Sequence, residues 1–127
     1  MNKVQNSLTL VFYFATLISI IFYLYPGSIF GCFLYNDCSI QPQITRDFII
    51  SSNHFYIFTI LSTLGMEVYK NKKNVKFLIF YLFLLSVILE LFHLIIPNRA
   101  FEMIDLFGNI AGVVFVIIIY KVKNKYV

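Results

Sequence analysis

ELFHLIIPNRAFEMIDLFGNIAG, residues 90–112, gathers Glu90, His93, Arg99, Glu102, Asp105 and Asn109 into one short stretch. On both sides the chain is dominated by Phe, Leu, Ile, Tyr and Val. Inserting an ionisable group into a membrane segment costs roughly 2.5–3.5 kcal/mol on insertion scales, so such groups are usually paired or functional. Polarity this concentrated between apolar flanks marks a site in a membrane protein.

Composition agrees. Of 127 residues, 60% are hydrophobic and 13% charged, where a soluble domain carries about 25% charge. The net charge of +4 comes from lysines set between apolar runs. That arrangement signals topology rather than a nucleic-acid surface, and no nucleic-acid partner is expected. High aromatic content with little charge excludes a disordered chain. Without internal repeats or a low-complexity linker, residues 1–127 read as a single domain.

Four apolar runs are predicted to be membrane helices: Ser7–Tyr25, Phe48–Tyr69, Phe77–Ile96 and Asp105–Tyr120. About 20 helical residues span the roughly 30 Å hydrocarbon core. Pro26-Gly27 ends the first run and Pro97-Asn98 the third. The 26–47 segment is expected to be a loop. Ile29-Phe30-Gly31-Cys32 resembles a lipoprotein cleavage box, but Phe30 is bulky where that box takes a small residue, so the first run is expected to stay attached. Cys32 and Cys38 are the two cysteines. They pair only if their loop faces an oxidising compartment, and two unpaired thiols are the simpler expectation. Lys3, Lys70, Lys72, Lys73, Lys76, Lys121, Lys123 and Lys125 flank one side of the runs, and Arg46 and Arg99 the other. The positive-inside rule then predicts an all-α, four-helix transmembrane bundle with both termini cytoplasmic and the 26–47 and 97–104 loops external.

With that topology, the helical rise places His54 roughly 9 Å and Glu90 roughly 10 Å below the outer face. His93 lies one turn above Glu90, and Asn109 one turn below Asp105. Three helices thus bring polar groups to one depth. Gly108 and Gly112 form a small-xxx-small pair that lets a neighbouring helix approach closely. Asn53 and His54 can serve as interhelical hydrogen-bonding groups, and Glu90 as a buried partner of Arg99 or His54. Glu90-x-x-His93 echoes half of a di-iron bundle motif, but a single copy predicts neither metal nor cofactor. Glu102 reads as a solvated loop charge. No Ser or Cys is placed to act as a nucleophile beside a histidine. The predicted binding set is His54, Glu90, Arg99, Asp105 and Asn109, and the candidates for chemistry are His54, Glu90, His93 and Arg99.

The order and spacing of these residues resemble the VanZ-like family of small bacterial membrane proteins. The matching pattern runs from His54-Phe55 to Glu90, Pro97-x-Arg99, Asp105 and Asn109-x-x-Gly112, about the last 80 residues. The chain departs from it at Ile50-Ser51, where the family often has Asp-Lys. It departs again at His93, where Gln is frequent, and at Val116, where a second glycine stands. The resemblance implies a multi-pass protein of the bacterial cytoplasmic membrane, linked to low-level glycopeptide (teicoplanin) resistance or to cell-envelope polysaccharide production. Three functions compete. One is an accessory or binding role toward membrane lipids, a lipid-linked envelope precursor or a lipophilic glycopeptide. Another is a membrane enzyme acting on a lipid-linked phosphate or glycan, with Arg99 holding the anion and Glu90 exchanging a proton with His54 or His93. Transport ranks last, because four short helices need an oligomer for alternating access.

Overall fold

A computed structural model describes residues 3–69 and 73–126, with side chains placed as far as Lys123. Lys70 and Lys72 of the basic turn, and the Lys125 side chain, lie outside the described residues. The fold is all-helical: α1 Lys3–Leu24, α2 Ile29–Tyr35, α3 Ser52–Tyr69, α4 Val75–Phe92 and α5 Met103–Tyr126. Lys3–Leu24, Val75–Phe92 and Met103–Lys123 are long and apolar enough to cross a membrane. Their exposed faces carry Leu10, Phe14 and Leu17 on α1, Phe77, Phe80 and Leu84 on α4, and Phe107, Phe115 and Ile118 on α5. Meanwhile Ser62, Ser86, Glu90 and Asn109 have no exposed surface. Apolar outside and polar inside inverts the usual soluble arrangement and suits lipid tails as the surrounding medium.

α3 is the interior helix, packed against α1, α4 and α5. Ser52, Asn53, His54, Thr59, Ser62, Thr63 and Glu67 make it the least apolar of the long helices, and its neighbours cover much of that polarity. Phe58, Leu61, Leu82, Val113 and Val116 fill the core around it. α5 reaches it most closely through two glycines. A Cβ at Gly108 would lie 2.7 Å from the Ser51 carbonyl oxygen, and one at Gly112 would lie 2.7 Å from the Phe55 oxygen and 2.9 Å from the Thr59 nitrogen. The lysine-bearing end is tied by Gln5 donating to the Val68 carbonyl at 3.0 Å and by the Tyr13 and Tyr69 hydroxyls, 2.6 Å apart. Tyr120 donates to the Glu67 carboxylate.

Four local expectations need correction. Within the 26–47 loop lies helix α2, whose N-cap Ser28 accepts the Gly31 N–H at 3.0 Å and whose C-cap Asn36 is left-handed at φ 53°. Cys32 and Cys38 are not free thiols but a disulfide that closes this short unit. The turn before it needs Gly27, at φ +88°, where a Cβ would lie 2.6 Å from the Cys38 oxygen. Asp37 accepts from both the Ser39 hydroxyl and N–H, and these bonds hold its carboxyl below the usual range. α3 starts at Ser52 rather than at Phe48, because Asp47 Oδ1 accepts the Ser52 N–H at 2.7 Å and fixes the helix entry. α4 ends at Phe92 rather than Ile96. There the pattern tightens to three-residue bonds, His93 N–H to the Glu90 oxygen and Leu94 N–H to the Leu91 oxygen, a usual helix ending.

The glycine contact is testable. Gly112→Ala should destabilise the protein by about 1–3 kcal/mol, the cost of overpacking a close interface, because its methyl meets backbone. Gly65→Ala should cost less, since the added methyl meets the movable side-chain ends of Phe12 and Leu78. Thermal melts in detergent that ranked the two the other way would contradict this packing.

Candidate functional site

The C-terminal ends of α1 and α4 meet the N-terminal ends of α3 and α5, and the polar groups collect where they converge. His54 sits on the first turn of α3 because Asp47 fixes where that helix begins. Glu90 stands on the last turn of α4, with His93 as its C-cap residue. Asp105 and Asn109 occupy successive turns of α5, and Gly108 lies against α3 between them. His54, Glu90, His93 and Asn109 are buried, while the Asp105 side chain is at the rim, 19% exposed.

Tyr23 of α1 holds the centre. Its hydroxyl donates to Asn109 Oδ1 at 2.6 Å and lies 3.1 Å from His54 Nδ1. Its ring stacks on His93, with centroids 5.7 Å apart, and meets the His54 ring edge-on. No sequence signal singles it out, because a tyrosine within an apolar run looks like an interfacial anchor. Asn53, expected to hydrogen-bond between helices, instead pins the loop: it accepts from the Ile44 N–H at 2.9 Å and donates to the Pro42 oxygen at 2.8 Å.

Hydrogen-bond capacity places several protons. Asn109 Nδ2 donates to the Ser86 carbonyl at 3.1 Å, which turns Oδ1 toward Tyr23 and His54. Oδ1 only accepts, and the single Tyr23 hydroxyl proton is already given to it. His54 Nδ1, 3.1 Å from Oδ1, must therefore carry a hydrogen. His54 Nε2 is left facing Asp105 Oδ2 at 3.5 Å, a contact that calls for a proton or a cation between the two atoms. His93 Nε2 lies 3.0 Å from the Tyr23 carbonyl, which can only accept. That nitrogen is thus protonated, and Nδ1 shares a further proton with Glu90 Oε1 at 3.2 Å. Glu90 Oε1 also accepts the Glu102 N–H at 3.3 Å. Glu90 Oε2 is fully buried without a hydrogen-bond partner and lies 3.7 Å from His54 Nδ1.

Of the two partners expected for Glu90, His54 stands 3.7 Å from it, whereas Arg99 turns to α1. Its Nε donates to the Tyr25 carbonyl at 3.2 Å and its Nη2 to the Phe22 carbonyl at 2.8 Å. A cation on the last carbonyls of α1 satisfies groups the helix leaves unpaired. Partial burial lowers the guanidinium pKa, opposed by Tyr23, Glu90 and Asp105 nearby. Glu102 is exposed at the surface, although its backbone N–H reaches the buried Glu90.

Two cavities share this polar wall. One, of about 460 Å³, is polar and bounded by Ser39, Gln43, Asp47, Ser51, Asn98, Glu102 and Asp105. The other, of about 220 Å³, is mainly apolar, bounded by Phe22, Ile29, Phe30, Pro42, Ile44 and Ile57. Gln41, Asn53, His54, His93 and Arg99 line both. The chemistry on offer is hydrogen bonding to a polyfunctional head, proton exchange through His54, Glu90 and His93, and contact with a chain or ring in the apolar space. No family model, curated protein or solved structure matches the chain.

Removing the central hydroxyl tests the network. Tyr23→Phe should lower stability by about 1–2 kcal/mol, because it takes a donor from a buried acceptor. Tyr25→Phe should be indistinguishable from the parent, since that exposed hydroxyl lies only at 3.9 Å from Cys32 Sγ. Equal melting of the two variants would show that Tyr23 is not bonded as described.

Proposed function

We propose that the protein is a VanZ-like integral membrane protein of the bacterial cytoplasmic membrane that binds the head of an amphiphile at the outer face. It is read as a four-helix transmembrane bundle with both termini cytoplasmic, α3 being the fourth span. At about 1.5 Å per residue, the 18 residues of α3 cover most of the hydrocarbon thickness, and neighbouring helices shield its polar side chains. Orientation is supported by Lys3, Lys73, Lys76, Lys121 and Lys123 at the end opposite the polar cluster. The Cys32–Cys38 disulfide beside that cluster suits an oxidising exterior.

One observation carries the reading: a polar and an apolar cavity share the wall formed by Gln41, Asn53, His54, His93 and Arg99. A ligand with a hydrophilic head and a hydrocarbon or aromatic body fills both at once. A lipid-linked envelope precursor or a lipophilic glycopeptide has that shape, which fits an accessory role in cell-envelope biology or glycopeptide resistance. Charge narrows the head. Asp47, Glu102 and Asp105 outnumber Arg99 around the polar cavity, so a hydroxyl-rich or ammonium-bearing head is favoured over a bare phosphate. The second reading is a membrane enzyme acting on a lipid-linked phosphate or glycan. What favours it is the unpartnered Glu90 Oε2 beside His54, a carboxylate placed for proton transfer.

Mass spectrometry of lipids copurified in mild detergent tests the binding role. The wild type should retain one amphiphile enriched over its share of the host membrane. Ile57→Trp, which fills the apolar cavity, should lose it, whereas Phe80→Trp on an outward face should keep it. A wild type carrying only bulk lipid in host proportions would contradict the proposal.

A further inference from the structure

The geometry points to a divalent-cation site, best matched to Zn²⁺, formed by His54 of α3, Glu90 of α4 and Asp105 of α5. One ligand atom from each residue can be chosen so that all lie within 4.8 Å of one another. With zinc–nitrogen and zinc–oxygen bonds of about 2.0–2.2 Å, tetrahedral ligand atoms stand roughly 3.3–3.6 Å apart. The 3.5 Å from His54 Nε2 to Asp105 Oδ2 already matches such an edge, and Glu90 Oε2 stands beside the same imidazole, 3.7 Å from its Nδ1.

Two further features point to an ion rather than a chance cluster. Glu90 Oε2 is fully buried and lacks a hydrogen-bond partner, a costly state for a carboxylate oxygen unless a positive charge meets it. In addition, the far side of each buried ligand is already held. Asn109 and Tyr23 engage His54 Nδ1, which leaves Nε2 as the coordinating nitrogen. His93 and the Glu102 N–H engage Glu90 Oε1, which leaves Oε2 free. Metal sites characteristically orient their ligands with such outer partners. Imidazole together with carboxylates suits zinc better than magnesium or calcium. Three protein ligands leave one position open, as in catalytic rather than structural zinc sites. His54 and Asp105 both line the polar cavity, so that position is placed to meet a ligand there. A cation would also offset the carboxylates that disfavour a bare phosphate head, a consequence that rests on the amphiphile reading. The ion site itself does not.

The test uses tag-free protein in detergent, stripped with chelator and titrated with Zn²⁺ alone by calorimetry, with melting curves on the same samples. The wild type should bind one ion per chain and melt at a higher temperature with zinc, as binding to the folded state requires. Asp105→Asn, a change at the rim, should keep the helical fold and weaken binding by at least about 100-fold. His93→Gln, which removes an outer partner of Glu90 and no ligand atom, should weaken it by about 10–100-fold. Folded wild type without a stoichiometric site would overturn the proposal, and so would an Asp105→Asn variant that binds like the parent. Since no amphiphile is added, a failure here leaves the lipid experiment to be judged separately.

Discussion

The close approach of α5 to α3 is the constraint on which the polar site depends. Gly108 and Gly112 replace side chains with backbone contact, and a Cβ at Gly108 would stand 3.1 Å from that of His54. Such proximity lets Asp105 and Asn109 reach one imidazole from successive turns of α5. Asn109 carries the arrangement to α4 through the Ser86 carbonyl, and Tyr23 carries it to α1. Every long helix therefore contributes to one network. In hydrocarbon an unsatisfied polar group costs several kcal/mol, so separating any of these helices exposes several partners together. The network specifies how the bundle packs as well as what it presents.

Above the network, the 26–51 segment forms a roof with its own local stabilisation. Its near end is closed by the disulfide and by the Ser28 N–H donating to the Cys38 carbonyl at 2.7 Å. Its far end is fastened to α3 by Asn53, by the Ser52 hydroxyl donating to the Thr45 carbonyl at 2.6 Å, and by Asp47 on the helix entry. Between these anchors lie Ser39, Gln41 and Gln43, which line the polar cavity. The roof makes a chamber from what would otherwise be an exposed bundle end, and it places apolar Pro42 and Ile44 beside polar Gln41. Polar and apolar lining meet at this join between loop and helices.

How much of this was legible in the sequence follows from where the signals lie. Polar groups within apolar runs are conspicuous, so His54, Glu90, Asp105 and Asn109 could be named as one set, and they do stand together. The glycine pair beside Asn109 was equally visible, although the identity of its partner helix was not. Tyr23 was hidden because its hydroxyl is one polar atom on an otherwise apolar ring, in a run with other aromatics. Arg99 could be placed near the cluster, but its choice of α1 carbonyls over Glu90 depends on a helix end no spacing rule locates. The Glu90-x-x-His93 motif drew attention to a local pair, whereas the metal-like set joins residues from three helices. The cysteine pairing turned on the shape of α2, a helix too short to leave a periodic signal.

His54 is fixed by Asn109 and Tyr23 on one side and left open toward Asp105 on the other. Nitrogen-15 spectroscopy of labelled histidines in detergent measures this most directly, since it distinguishes an N–H ring nitrogen from one with a lone pair or a metal. A hydrogen is expected on Nδ1 of His54 and on Nε2 of His93, with the His54 assignment lost in Asn109→Leu. A neutral His54 protonated at Nε2, with Nδ1 bare, would contradict it.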